Sequence, residues 1–294
     1  MVAYLLAFSS VLTFSTAAIG FTYFSEKVTP LWMNVFKCLI CFLFCVPVIL
    51  YLRGHLLWNF TDVWPLYVSG FIGLNVADWM LLIAYKRMGP ARTLVLFGFQ
   101  PFIAGGFSYY AWGEKIYPMQ SFAIIFFLAC LFLFSYEKFR KSGHWEVAGL
   151  LFALGGVILD STGVILTRYT FNMHPELNGF DAQYLRTLAA LVSFVIYLPF
   201  IKIDLVKNFR LLSMKEKLVA FISSFFGTFL SLVFYMQAVK MGKLAMVTSI
   251  VLADPVMSTF FESVWKKTWP TRYLWMALGC FFIAMFFLFY PQFQ

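Results

Sequence analysis

Residues 84–114 read AYKRMGPARTLVLFGFQPFIAGGFSYYAWGE. Ala84 ends one apolar run, and a basic turn broken by Gly89-Pro90 follows. A second apolar run carries Gln100-Pro101 near its middle and leaves through Gly113-Glu114. Residues 238–268, AVKMGKLAMVTSIVLADPVMSTFFESVWKKT, have the same design. Ala84 to Pro101 is 17 positions, and so is Ala238 to Pro255. One membrane hairpin is written twice, and the reading of the chain works outward from it.

Composition sets the medium. The 294 residues are 62% hydrophobic and 12% charged, with mean hydropathy +0.83, against roughly 25% charged in a soluble domain. Apolar runs of ~20 residues recur, enough to cross a hydrocarbon core of ~30 Å. In lipid each backbone N–H and C=O must be satisfied within its own segment, so these runs are helices. The net charge of +9 lies in the connections. There it fits orientation and lipid headgroups rather than nucleic acid. Phe, Trp and Tyr make up 21% of the chain and fit lipid-facing positions and interfacial belts. The first segment lacks a basic n-region and continues long enough to span, so no cleavable signal peptide is expected. Cys38, Cys41 and Cys45 share one helix face with no His nearby. They read as small buried apolar residues, without a disulfide framework.

The fold expected is an all-α integral membrane protein of ten spans. They are placed at 2–22, 31–52, 64–85, 93–112, 119–137, 146–169, 182–201, 217–239, 244–265 and 271–290. The polar break EKFRKSGHWE divides them into residues 1–140 and 141–294, five spans each. Ala3 onward aligns with Ala148 onward, laying Ser15-Thr16 over Asp160-Ser161. Asn34-x-x-Lys37 matches Gln183-x-x-Arg186, and Gln100-Pro101 matches Asp254-Pro255. Five is odd, so the second half enters from the opposite side: an inverted repeat around a central cavity. Connections after odd-numbered spans hold 15 Lys and Arg, and those after even-numbered spans hold 5. The positive-inside rule then places both termini outside.

These features resemble the drug/metabolite transporter superfamily, in its ten-helix EamA-type branch. Ala84 before the Gly89 turn, Pro101 in mid-helix and the Gly113-Glu114 exit carry the resemblance, with Lys37 and Arg186 as early basic residues of spans two and seven. The second hairpin departs from the pattern: Thr268 stands where the exit Glu would be, and Asp254 precedes its proline. The resemblance implies transport by alternating access in a multi-pass membrane, such as the bacterial inner (plasma) membrane. For many members it implies cytoplasmic termini, opposite to the charge count.

An ionisable group at membrane depth costs about 2.5–3.5 kcal/mol and persists when it faces an interior or a watery cavity. Lys37, Asp78, Asp160, Arg186, Asp254 and Glu262 are such groups. Asp160 is the deepest; it can bind an amine, carry a coupling proton or pair with Arg186. Lys37 and Arg186 can hold an anionic substrate group, pair with Asp78 and Asp160, or snorkel to the interface. Gln100 and Asp254 precede prolines, which free backbone polar groups. Asn34 and Gln183 sit one turn before the two bases. Asp78 beside Trp79, with Tyr235, offers an acid and aromatic faces suited to an organic cation, although interfacial aromatics explain the rings better. The glycine pairs fit close helix packing.

No His lies at metal-ligand spacing, and no nucleophile elbow or nucleotide-binding loop occurs, so neither an enzyme nor an ATP-driven pump is expected. No cofactor is implied. The expected function is secondary active transport of a small polar, amine-bearing metabolite, such as an amino acid. Flexible points are expected at Gly89-Pro90 and at the two proline kinks. An organic-cation exporter and a lipid-linked flippase or accessory subunit are the alternatives. Partners expected are the small-molecule substrate, membrane lipid and a proton or other coupling ion, with a monomeric or homodimeric chain.

Overall fold

The computed structural model describes residues 1–25, 28–56, 58–88, 93, 96–140, 147–201, 205–265, 267 and 269–289. Among these residues every regular element is helical. The first half holds α1 (Val2–Ser25), α2 (Pro30–Arg53), α3 (Phe60–Ser69), α4 (Asp78–Met88), α5 (Gln100–Trp112) and α6 (Pro118–Arg140). The second holds α7 (Val147–Met173), α8 (Gly179–Ile201), α9 (Leu205–Leu211), α10 (Met214–Ser224), α11 (Ser231–Met241), α12 (Leu244–Val251), α13 (Asp254–Trp265) and α14 (Arg272–Phe289). A π-helical segment, Gly70–Ala77, joins α3 to α4, and another, Phe225–Leu230, joins α10 to α11. A 3-10 turn, Phe97–Phe99, leads into α5.

Among the described residues, five stretches are long and apolar enough to cross a membrane: Val2–Phe21, Leu31–Arg53, Val147–Met173, Met214–Met241 and Leu244–Phe261. Shorter apolar helices run over Pro118–Leu133 and Arg272–Phe287. Local chemistry sets several helix ends. The Thr29 hydroxyl accepts the Trp32 N–H at 3.3 Å, and Pro30 opens α2 at a position where no helical N–H is needed. Gly54, at φ 72°, closes α2 in the left-handed cap that glycine enters without a Cβ penalty. Ser213 and Glu216 cap α10 reciprocally. The link expected to be a plain basic loop over 202–217 contains the short helix α9.

Packing occurs in matched pairs. α1 lies on α10, α11 and α13, while α7 lies on α3, α4 and the segment between them. α2 packs on α8, and α6 on α14. The first helix of each half is therefore buried against the broken span of the other half. The shift that lays Ala84 on Ala238, 154 positions, also lays 225–230 on 71–76, inside the first π segment. Wide turns of this kind are rare and concentrate at functional positions.

The first π segment is also where two helices come closest. A Cβ on Gly70 would collide with the Arg186 backbone, 2.6 Å from its Cα. A Cβ on Gly73 would lie 3.2 Å from Arg186 Nη2 and 3.9 Å from Asp160 Oδ1. The missing side chains let α8 press against this span and leave space between the guanidinium and the carboxylate.

Candidate functional site

Polar residues that the sequence scatters over several spans come together at the centre. Lys37 on α2 forms an ion pair with Asp78, the first residue of α4, at 3.1 Å. Asp160 on α7 accepts a hydrogen bond from Gln100 Nε2 on α5 at 2.7 Å. Arg186 on α8 is 2% exposed, so it does not snorkel. Its Nη1 contacts Met236 Sδ at 2.9 Å, and its Nε has no hydrogen-bond partner among the described residues. The charges of Arg186 and Asp78 act on Asp160 through space. A direct Arg186–Asp160 hydrogen bond, one of the expected arrangements, is not formed: Gln100 serves the carboxylate, and Gly73 faces the gap.

Further unfilled polar atoms surround this centre. The Tyr235 hydroxyl on α11 is buried without a partner among the described residues, within electrostatic reach of Asp160, Arg186 and Asp254. Asp254 Oδ1 is likewise buried and unpartnered. Asn34 gives its Nδ2 to the Leu74 carbonyl at 3.0 Å, and Gln183 gives its Nε2 to Cys41 Sγ at 3.5 Å. The side-chain oxygens of both amides are unfilled. Buried polar groups normally find partners. Asn34, Gln183, Arg186, Tyr235 and Asp254 each carry a buried polar atom that is unfilled among the described residues.

Trp79 is 51% exposed and contributes no buried aromatic wall beside Asp78. The Glu262 side chain, the Gly89-Pro90 turn and Thr268 lie outside the described residues. The three cysteines of α2 are free and buried. Among the described residues, no group of three His, Cys, Asp or Glu side chains is placed to hold a metal ion.

A second polar cluster lies at the end of the bundle that holds the N-terminus of α1. Glu114, just past α5, accepts from Arg168 Nη2 and from the Leu244 N–H, each at 3.0 Å. Arg168 also donates to the Val239 carbonyl at 2.6 Å and to the Lys240 carbonyl. Arg53, at the end of α2, grips Asp181 through Nε (3.2 Å) and Nη2 (2.6 Å) and donates to the Glu176 carbonyl. Lys243 donates to the Lys115 carbonyl and, at 3.1 Å, to Gln120 Oε1. Burial lowers the proton affinity of the Lys243 ammonium, and the Glu114 carboxylate opposes that shift. The Glu114, Arg53 and Lys243 bonds tie the first half to the second, whereas the two Arg168 bonds to carbonyls lie within the second. Sequence reading took Arg53 and Arg168 as loop charges and Glu114 as a family signature. The signal available was a charge of each sign at the ends of neighbouring spans.

The EamA-like transporter family matches this chain twice, over residues 1–136 and again over 147–290. The chain belongs to the EamA-like transporter family. This is a transporter family within the drug/metabolite superfamily rather than a family of enzymes, and its membership together with the apolar helices makes the chain an integral, multi-pass membrane protein. A curated relative, the uncharacterized transporter YvbV of Bacillus subtilis (strain 168), is 26% identical over 110 residues. That match covers 37% of this chain and about a third (35%) of the relative's length. A crystal structure described only as that of a protein superposes with TM-score 0.79 at 19% identity, covering 98% of this chain and 96% of its own. That likeness shares the fold of this EamA-family chain.

Proposed function

We propose that this EamA-family protein is a secondary active transporter of ten spans, built as two inverted five-span halves that rock about a central site. The site accepts a small polar metabolite bearing an amine and a second, anionic group. Support for the halves comes from the twofold family match, the two π segments at one repeat register and the reciprocal packing of α1 and α7.

The observation that carries the substrate reading is the buried pairing of opposite functions. Asp160, fixed by Gln100, faces Arg186, whose Nε is unfilled, across the space that Gly73 leaves. Asp160 offers an acceptor for an ammonium, and the planar guanidinium offers parallel N–H groups to a carboxylate or phosphate. Lys37 is already neutralised by Asp78, so Arg186 is the cation left for the substrate.

In the conformation described, Arg186, Gln100 and Asn34 are each at most 3% exposed, and the Glu114 and Arg53 clusters tie the halves on one face. We take this as a form closed on the face that carries the N-terminus of α1. The membrane it serves is a bacterial inner membrane in this reading.

Purified protein screened by thermal shift against a panel of amino acids, amines and phosphorylated metabolites tests the proposal. A ligand that binds only the folded state raises its apparent stability. At least one zwitterionic compound should stabilise wild type and not Asp160→Asn. A panel in which only uncharged or lipid-like compounds bind sinks the reading.

A further inference from the structure

The ninth span is broken at an acid that forms no ion pair among the described residues. α12 ends at Val251, Leu252 and Ala253 turn, and α13 starts at Asp254. The Leu252 and Ala253 N–H groups reach back three residues, to the Ser249 (3.2 Å) and Ile250 (3.1 Å) carbonyls, the tightened pattern of a 3-10 turn. Pro255 has no N–H to give the Val251 carbonyl. The Asp254 backbone carbonyl accepts the Ser15 hydroxyl of α1 at 3.1 Å, which pins the break in place.

The side chain is left over. Asp254 Oδ1 is buried with no hydrogen-bond partner among the described residues, while the residue as a whole is partly exposed. The elements packed on α13 are α1, α14 and α6. α1 offers the uncharged Ser15, and no ion pair joins Asp254 to α14 or α6 among the described residues. Tyr235 on α11, 8% exposed and with its hydroxyl unpartnered among the described residues, lies within electrostatic reach of Asp254. Asp160 and Arg186 act on the same hydroxyl.

An ionised carboxylate with one oxygen shut away from any donor is costly at membrane depth. Taking up a proton makes the group neutral and gives it an O–H to donate. The lone acid, outside any set of three metal-ligating side chains among the described residues, suits a proton rather than a metal ion.

We propose that Asp254 is the coupling-proton site of this transporter, separate from the Asp160–Arg186 substrate contacts, with the Tyr235 hydroxyl as the group between the two. Coupling rests on the transport reading above, whereas occupancy of Asp254 by a proton does not. The step is one proton taken from water on one side, held as an O–H on Asp254 and returned to water on the other. The half-helix ends around the break are the kind of backbone that transporters use at ion sites.

Infrared difference spectroscopy of the full chain in lipid nanodiscs tests this without any substrate. Titration runs from acidic to alkaline pH, in choline chloride and in sodium chloride. Wild type should show a deuterium-sensitive carbonyl band of a protonated carboxyl at neutral pH. Asp254→Asn should lose the band, and Asp160→Asn should retain it. Asp254→Glu should keep it at a shifted frequency, which covers the case in which the Asn variant does not fold. A band absent from wild type, one that survives Asp254→Asn, one unmoved in Asp254→Glu, or one that sodium removes and choline does not, overturns the assignment. Failure of the substrate reading would appear in the metabolite screen instead, so the two are distinguishable.

Discussion

The two proline breaks occupy one repeat position in the two halves, and the protein finishes them differently. At the first, the Gln100 N–H closes on the Phe97 carbonyl, and the Gln100 side chain reaches across to Asp160 at 2.7 Å. At the second, the acid in place of the glutamine has its Oδ1 buried and unfilled. The matched bases differ in the opposite sense: Lys37 of the first half has its acid in Asp78, whereas Arg186 of the second has none at bonding distance. Duplication supplies the frame, and divergence at these few positions supplies the chemistry. The first half pairs its base and its mid-span amide, leaving Asn34 Oδ1 as its unfilled atom at this centre. The second half holds the open valences.

The predictions break or sharpen that contrast. The largest effect is expected for Arg186→Gln. A ligand at a hundredfold its Kd stabilises the folded state by about 2.7 kcal/mol, and this variant should lose that gain entirely in the thermal-shift assay. Retention of the full shift would move the anion site elsewhere.

Gly70→Ala comes next. Its methyl would meet the Arg186 backbone, and overpacking of that kind costs typically 1–3 kcal/mol, to be read as a lowered unfolding midpoint. Gly106→Ala, with nothing within 4 Å of the added Cβ, should leave the midpoint unmoved. If both behave alike, the close approach of α8 to the π segment is wrong.

Gln100→Leu removes the Asp160 donor, and an orphaned buried acceptor costs about 1–3 kcal/mol. It should lower stability without ligand, and it should weaken ligand binding less than Arg186→Gln does. The smallest effect belongs to Glu114→Gln. The Glu114–Arg168 pair is partly buried, each side chain 15% exposed, and pairs near a surface are worth up to about 1 kcal/mol, roughly fivefold in a population. Labelling of the buried native Cys45 by a water-soluble maleimide should rise by about that factor. No change would remove the cluster from the account of how this face stays shut.

Much of the fold was legible in the sequence because lipid permits few solutions. Apolar runs of spanning length became helices, and the observed bounds of α1, α2, α6, α7 and α14 fall within a few residues of those expected. Lys37, Asp78, Gln100, Asp160 and Arg186 were legible as candidates because polar groups at that depth are costly. Who serves whom was not. Gln100 and Asp160 lie 60 residues apart, and neither residue type specifies an amide rather than a guanidinium as partner. The π segments were invisible because a widened helical turn has no residue signature beyond tolerance of glycine. The Glu114 and Arg53 clusters were missed because a charge at a span end reads as a solvated loop until the opposing helix end is located.

The most direct test of the central claim is a titration of the best ligand from the metabolite screen into wild type, Lys37→Gln and Arg186→Gln. If the second half carries the open valence, Arg186→Gln abolishes measurable binding, and Lys37→Gln, which removes an already paired charge, weakens it by less than tenfold. Binding that survives Arg186→Gln and is lost in Lys37→Gln would contradict the account.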